Sequence, residues 1–200
     1  TNAFAESTIV AVTADSVDQY DPDIAVDGSS TAYLVWTDMR NGQADIYGAT
    51  SDGSGWVNVP IVNTNSTQTS PALTAEQNTS VLHLVWVDDT PGNSDIYYAA
   101  SQGLPDSPLA GSTIIDDTSG ANQFAPAIQC GDNLNVFACW QDLRYHTDAD
   151  LFMTELGSGA AKTNILVGDN STNVDQSEPA LGIDGHGNPC LVWTDNRESQ

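Results

Sequence analysis

The sequence predicts an all-β chain folded as a β-propeller of four-stranded blades, four repeats of about 50 residues with the last blade incomplete. Three observations carry this prediction. The stretch "LVWTDMRNGQADIY" from Leu34 is written again as "LVWVDDTPGNSDIY" from Leu84, with weaker copies "ACWQDLRYHTDADLF" from Ala138 and "LVWTDNRESQ" from Leu191. Aligned on their tryptophans, Trp36, Trp86, Trp140 and Trp193 fall 50, 54 and 53 residues apart. No segment places apolar residues at helical spacing over ten or more residues, so helix is not expected.

Each unit opens on a Gln-x-x-Pro step, from Gln19, Gln68, Gln123 and Gln176. A short apolar run follows ("DIAV", "ALTA", "AIQC", "ALGI"), then a turn such as "DGSS" or "DGHG". The tryptophan strand comes next. "TAYLVWTD" is apolar on both faces, so it must be covered on both sides, as a strand inside a stack of blades is. A polar loop leads to a third strand ("DIY", "DIY", "DLF") and a fourth run ("WVNVPIV", "STIID", "TNILV") closes the unit. The units span about 13–63, 64–116, 117–167 and 168–200 of a single domain. "STIVAV", residues 7–12, matches a fourth strand and is expected to complete a terminal blade, while the last unit shows only its first two strands. The expectation is a piece of a larger propeller, or a blade edge completed by a second chain, since an open blade exposes unpaired backbone.

Composition narrows the function. The chain has 27 Asp and Glu against 4 Lys and Arg, a net charge of -23, and Lys162 is its one lysine. Nucleic acid and anionic membranes would be repelled, because affinity for phosphate needs clustered cations. No apolar run reaches the ~20 residues of a membrane-spanning helix. The acidic shell suits an extracellular or high-salt setting, where counterions screen its self-repulsion. Ala3, Phe4 and Ala5 have the small-x-small pattern of a cleavage site, as in a mature secreted chain. Three cysteines form no disulfide framework. Cys130, Cys139 and Cys190 read as small buried hydrophobes. A Cys130 to Cys139 bridge would join diagonal positions of one hairpin. Asn65, Asn78 and Asn170 lie in Asn-x-Ser/Thr sequons.

The pattern Pro-x-Ile/Leu, then Leu-Val-Trp-x-Asp-x-Arg, then Asp-Ile-Tyr resembles the sialidase-like (BNR-type) β-propeller repeats of secreted bacterial proteins, over residues 7–197. That resemblance implies the propeller fold and leaves the function open, because such blades serve glycosidases, lectins and adhesive surface proteins alike. The family's Asp-box, Ser-x-Asp-x-Gly-x-Thr-Trp, is only approximated by "TSDGSGW" (Thr50 to Trp56) and does not recur.

Sialidases of the family grip a substrate carboxylate with clustered arginines. Here Arg40, Arg144 and Arg197 occupy one repeated position, beside Asp38, Asp142 and Asp195, so the repeat spreads them around the ring instead of converging them. They read as structural: a guanidinium bridging Asp38 and Asp45 across the turn. In unit 2, Thr90 replaces the arginine and Pro91 stiffens the turn. The repeated Gln19, Gln68, Gln123 and Gln176 are expected to pair backbone groups left open between blades.

Positions that break the repeat carry the candidate chemistry. Around the four prolines, carboxylates appear only in units 1 and 4: Asp21, Asp23 and Glu178. If the ring closes with four blades these become neighbours at the channel, a weak candidate for an acid/base pair or a Ca²⁺ site. The "YHTDAD" loop offers His146, Asp148 and Asp150 as weak metal candidates, although Asp150 is also the ordinary blade Asp matching Asp45 and Asp95. No phosphate-binding loop, Cys-x-x-Cys pair or nucleophile elbow occurs. No other cofactor is implied. The reading is a non-enzymatic, secreted or cell-surface propeller for binding, adhesion or surface assembly, with a glycan or protein ligand and a tendency to self-associate. The alternative is a sialidase-like glycoside hydrolase using channel carboxylates.

Overall fold

In the computed structural model the described residues are 12–13, 16–51, 55–90, 92–104, 109, 112–115, 120–145, 147–157, 160–161, 163–168, 171 and 173–197. All of the predicted strand 7–12 but Val12 lies outside them, as do His146, Lys162 and Asn170.

Unit 1 is one antiparallel sheet of β1 (Gln19–Val26), β2 (Ala32–Asp38), β3 (Asp45–Ser51) and β4 (Val57–Val62), in that order. Unit 2 repeats it with β5 (Gln68–Ala75), β6 (Val81–Asp88), β7 (Asp95–Gln102) and β8 (Thr113–Ile114). In unit 3, β9 (Gln123–Cys130) and β10 (Val136–Asp142) lead to β11 (Asp150–Gly157), which pairs with both β12 (Ala160–Ala161) and β13 (Ile165–Leu166). Unit 4 contributes β14 (Gln176–Ile183) and β15 (Pro189–Asp195). The architecture is an all-β propeller of four-stranded blades, and among the described residues no helix is long and apolar enough to cross a membrane.

The repeat fixes the register. Each opening glutamine faces the aspartate that ends the second strand: Gln19 opposite Asp38, Gln68 opposite Asp88, Gln123 opposite Asp142 and Gln176 opposite Asp195. Two or three residues on, every innermost strand bulges. The residue before each proline, Asp21, Ser70, Ala125 or Glu178, sits in the left-handed region at φ 50°, 52°, 49° and 53°. A non-glycine residue there costs about 1–2 kcal/mol, and the proline that follows has no N–H for the ladder to miss. The bulge therefore belongs at this step.

Blades are joined by backbone as well as side chains. The amides of Met39, Asp89, Leu143 and Asn196 donate to the carbonyls of Asp18, Thr67, Asn122 and Asp175, at 3.1, 3.1, 3.2 and 3.2 Å. Successive blades are linked when the amides of Gln68, Gln123 and Gln176 donate to Ala44, Ser94 and Ala149 of the preceding unit, at 2.9, 2.7 and 2.8 Å. The core lies between sheets. Val35, Ile46 and Ile61 of unit 1 meet Leu73, Leu84 and Trp86 of unit 2. Val85, Val87 and Ile96 on the other face of unit 2 meet Ile128, Val136 and Trp140 of unit 3. At Gly28 the first turn presses against unit 2 so closely that a Cβ would collide with the Gln77 carbonyl.

The innermost strands pack in sequence, β1 on β5, β5 on β9 and β9 on β14. The face of unit 1 turned away from unit 2 is partly covered: Trp36, Tyr47 and Ala49 are buried there with Val12, Leu34 and Trp56 packed against them, while Ile24 is 58% exposed. The Val12 carbonyl accepts a 2.6 Å bond from Asn58 Nδ2. In the last unit Val192 on β15 is 68% exposed.

Candidate functional site

The four innermost strands converge at their C-terminal ends around a cavity of about 440 Å³. Its wall mixes aliphatic side chains (Ile24, Ile183) with polar ones (Gln77, Gln129, Asp132, Asp184). The last residues of each strand border it, and the following turns supply the carboxylates Asp132 and Asp184. Asp184 is held below the usual carboxylate range by the Asn188 side chain, with the Asn188 and His186 amides adding to the effect. Its counterpart in unit 1, Asp27, is pushed up by burial. Hydrogen bonds from Ser80, Ser29, Thr31 and Tyr33 outweigh that and leave it well below the range. Both aspartates are turn clamps, and Asp184 also borders the cavity.

At the other end of the strands the bulges place the repeat-breaking acids. Asp21 Oδ2 accepts from Ser70 Oγ at 3.3 Å. Asp23 accepts from its neighbour Ile24 N at 2.8 Å and, across the blade gap, from Leu73 N at 2.7 Å. Glu178 accepts from Thr194 Oγ1 of its own blade at 3.2 Å. Asp21 and Asp23 thus turn toward unit 2 and Glu178 toward β15, so these hydrogen bonds do not join the three as one group.

Of the metal candidates, Asp148 accepts from Val174 N at 3.3 Å and Asp150 is fully buried opposite Asp142, while His146 lies outside the described residues. Among the described residues no three His, Cys, Asp or Glu side chains come together as a metal set. Cys130, Cys139 and Cys190 are free thiols, but only Cys139 is the buried hydrophobe expected of all three: Cys130 is half-buried, and Cys190 is exposed because its strand β15 is covered less than the inner blades. In the hairpin register Cys130 faces Val136 and Cys139 faces Ala127, too far out of step to bridge. Burial pushes the Cys139 thiol up to about 12, the chemistry of a buried hydrophobe.

The arginines differ from expectation. Arg40 does not span Asp38 and Asp45 with its fork. Both prongs close on Asp38, Nε to Oδ1 at 2.9 Å and Nη2 to Oδ2 at 2.6 Å, with the guanidinium 4.0 Å above the Tyr47 ring. Asp45 is held instead by Asn41 at 2.8 Å and Gln43 at 3.3 Å. With Asp45 already held by Asn41 and Gln43, the fork closes on Asp38 alone, and the aromatic face gives the cation a second partner. Arg144 grips Asp142 Oδ2 through Nη2 alone and lies over Phe152, and Arg197 grips Asp195, pulling that carboxyl down to about 2. The glutamines are fully buried in units 2 to 4. Gln123 Oε1 accepts from Ile96 N of the preceding blade at 3.1 Å, whereas Gln68 Nε2 donates to Thr64 and Ser66 in the linker just before it.

One constellation escaped the sequence. His83, on β6, has Nδ1 at 2.8 Å from the Tyr98 hydroxyl and Nε2 at 3.1 Å from Glu76 Oε1. Burial lowers the histidine against the pull of Glu76, and burial raises Tyr98 to about 12. The three residues come from two strands and a turn. Only the opposition of His83 to Ala100 in the hairpin, which puts Tyr98 on the diagonal, hinted at the pairing.

No family model matches the chain, and no curated protein matches it. Solved structures do. A protein of unknown function from Dyadobacter fermentans superposes with TM-score 0.64 at 9% identity, over 90% of this chain and 62% of that one. A neuraminidase-like protein of A/little yellow-shouldered bat/Guatemala gives 0.60 at 11% identity, over 90% and 59%. An endo-arabinase from Bacteroides thetaiotaomicron gives 0.57 at 16% identity, over 86% and 68%. The chain spans roughly three fifths to two thirds of these structures. At such identities the likeness is one of fold, and it places the chain among β-propellers of the kind that neuraminidase-like proteins adopt.

Proposed function

We propose that this chain is the blade array of an extracellular binding propeller that takes an oligosaccharide at the channel, without cleaving it. The observation that carries this reading is the tethering of the channel carboxylate Asp184, whose oxygens accept from the His186 amide at 2.8 Å, the Asn188 amide at 2.9 Å and the Asn188 side chain at 3.0 Å, so that it serves its own turn and is not set to deliver the proton that glycosidic cleavage requires. Asp23, spent on two backbone amides, is tied up as a clip between blades. The cavity's amides and aliphatic walls suit the mixed polar and apolar faces of a sugar.

A glycan array with and without Ca²⁺ tests the proposal. Retention of a defined oligosaccharide, weakened by Gln129→Ala and Asp184→Asn, is expected. Release of reducing sugar from a polysaccharide, lost in Asp21→Asn with Glu178→Gln, would replace it with the second reading, a glycoside hydrolase. That reading draws on the endo-arabinase neighbour, which makes arabinan the first substrate to offer. Secretion or surface attachment and self-association through the end blades belong to the same proposal, supported by the acidic surface and by exposed Ile24 and Val192.

A further inference from the structure

The repeat provides an internal comparison at the position where unit 2 departs from it. In units 1 and 3 three groups meet on one carboxylate. Trp36 Nε1 donates to Asp38 Oδ2 at 2.8 Å, and Trp140 Nε1 donates to Asp142 Oδ2 at 3.2 Å. The arginine two residues on grips the same oxygen, at 2.6 Å in unit 1 and 2.5 Å in unit 3. Each guanidinium carbon lies over the third-strand aromatic, 4.0 Å from the Tyr47 centroid and 3.9 Å from that of Phe152.

Unit 2 keeps the frame and omits the cation. Trp86 faces Tyr97 and Asp88 faces Asp95 in the same register, and the Trp86 and Tyr97 rings stack at 5.8 Å. Thr90 stands where the arginine would be. Its amide and hydroxyl, at 3.0 and 2.6 Å, and Ser66 Oγ at 2.8 Å all bond to Asp88 Oδ1. No described residue bonds to Oδ2, the oxygen that the arginines and tryptophans use elsewhere. The Trp86 indole N–H is buried without an acceptor, whereas those of Trp36 and Trp140 are bonded. Where the side chain is missing there is a cavity of about 620 Å³, bordered by Tyr97, Asp88, Asp89, Thr90, Ser66 and Leu109.

We propose that this cavity is a receptor for a guanidinium group, an arginine side chain presented by a partner protein, lying on Tyr97 with its N–H groups on Asp88 Oδ2. The recognition is the one shared by the chain's own arginines: an N–H bond to the carboxylate Oδ2 and a cation on an aromatic face. Arginine fits it better than lysine, whose ammonium can neither fork nor stack. The net charge of -23 draws a cationic partner toward the whole surface, and this site selects the arginine. Asp89, held by Ser94 Oγ at 2.7 Å, adds a second carboxylate at the rim.

The test reads the indole N–H resonance of Trp86 in ¹⁵N-labelled protein, assigned by its loss in Trp86→Phe. N-acetyl-arginine amide is expected to shift that resonance saturably, leaving those of Trp36 and Trp140 in place, and the lysine counterpart to bind at least about fivefold more weakly. A peptide carrying one arginine between two leucines is expected to bind at least about tenfold more tightly than the amide, because leucines add apolar contact beside Leu109. Equal affinity would overturn the partner protein as source and assign the site to small free guanidinium compounds. Thr90→Arg supplies the missing side chain from within; it is expected to stay folded, melt no lower than the parent, and lose the response. An unchanged response in Thr90→Arg, or none at Trp86 in the parent, overturns the proposal.

Discussion

Strands β6 and β15 both carry Leu-Val-Trp followed two residues later by Asp, yet their surroundings differ. On β6 every residue from Leu82 to Asp88 is buried, with Val85 at 0% exposure between units 2 and 3. On β15 burial alternates, and Val192 is 68% exposed. Each pairs in the same register with the first strand of its blade, but β6 also pairs with β7, whereas among the described residues β15 pairs with β14 alone. What differs is therefore the cover on the strand, both from a second strand within the sheet and from the blades on its faces. A propeller strand is stable by being sandwiched, so identical letters contribute different free energies according to whether one or two neighbours remove them from water.

The largest expected effect breaks the better-covered side. Trp86→Ala should lower unfolding free energy by about 3–5 kcal/mol in urea titration, and Trp193→Ala by less than half of that; equal losses would mean the coverage makes no difference. Next come the acids. Asp142→Ala removes a fully buried carboxylate that binds Arg144 and Trp140, and should destabilise by about 3–5 kcal/mol. Asp195→Ala, at the more exposed Arg197 pair, should leave the melting temperature nearly where it was.

A smaller effect is tied to pH. Burial between units 2 and 3 lowers the His83 pKa, so the unfolded chain binds the proton that the folded chain refuses. The stability from neutral His83 is fully present above about pH 6.5 and is lost progressively as pH falls below it. Unfolding free energy measured from pH 7.5 to 5.5 should therefore decline, and His83→Gln should flatten the decline. An unflattened slope would place the proton elsewhere. The smallest effect is at the exposed valine: Val192→Ala should stay within about 0.5 kcal/mol of the parent, and a larger loss would show that something covers β15 in solution.

Much of the fold was legible because its determinants are local and repeated. The glutamine, proline, tryptophan and aspartate of each unit mark the bulge, the inner strand and the end of the second strand, and the structure places them in one register four times. The site was less legible. Asp21, Asp23 and Glu178 stood out as breaks in the repeat, but the partners of the first two, Ser70 and Leu73, are set by which blades touch, while Glu178 pairs within its own hairpin with Thr194. The His83 cluster was invisible because Glu76 and Tyr98 meet it through a turn and a diagonal strand pairing. Arg40 was read as an acid-to-acid bridge because the aromatic ring that receives its face is seven residues away, on the next strand.

By itself the sequence determined that the chain folds as tandem four-stranded blades, since a period of about 50 residues, alternating strands and repeated turn residues leave few other ways to bury a tryptophan in each unit. Only the tertiary structure decided which faces are covered, which acids are tied to backbone amides, and that Thr90 leaves a cavity beside Asp88 and Tyr97 where its counterparts hold an arginine. The reason is physical: hydrogen bonding within a strand pair follows from local pattern, whereas burial and charge pairing depend on which blade lies against which.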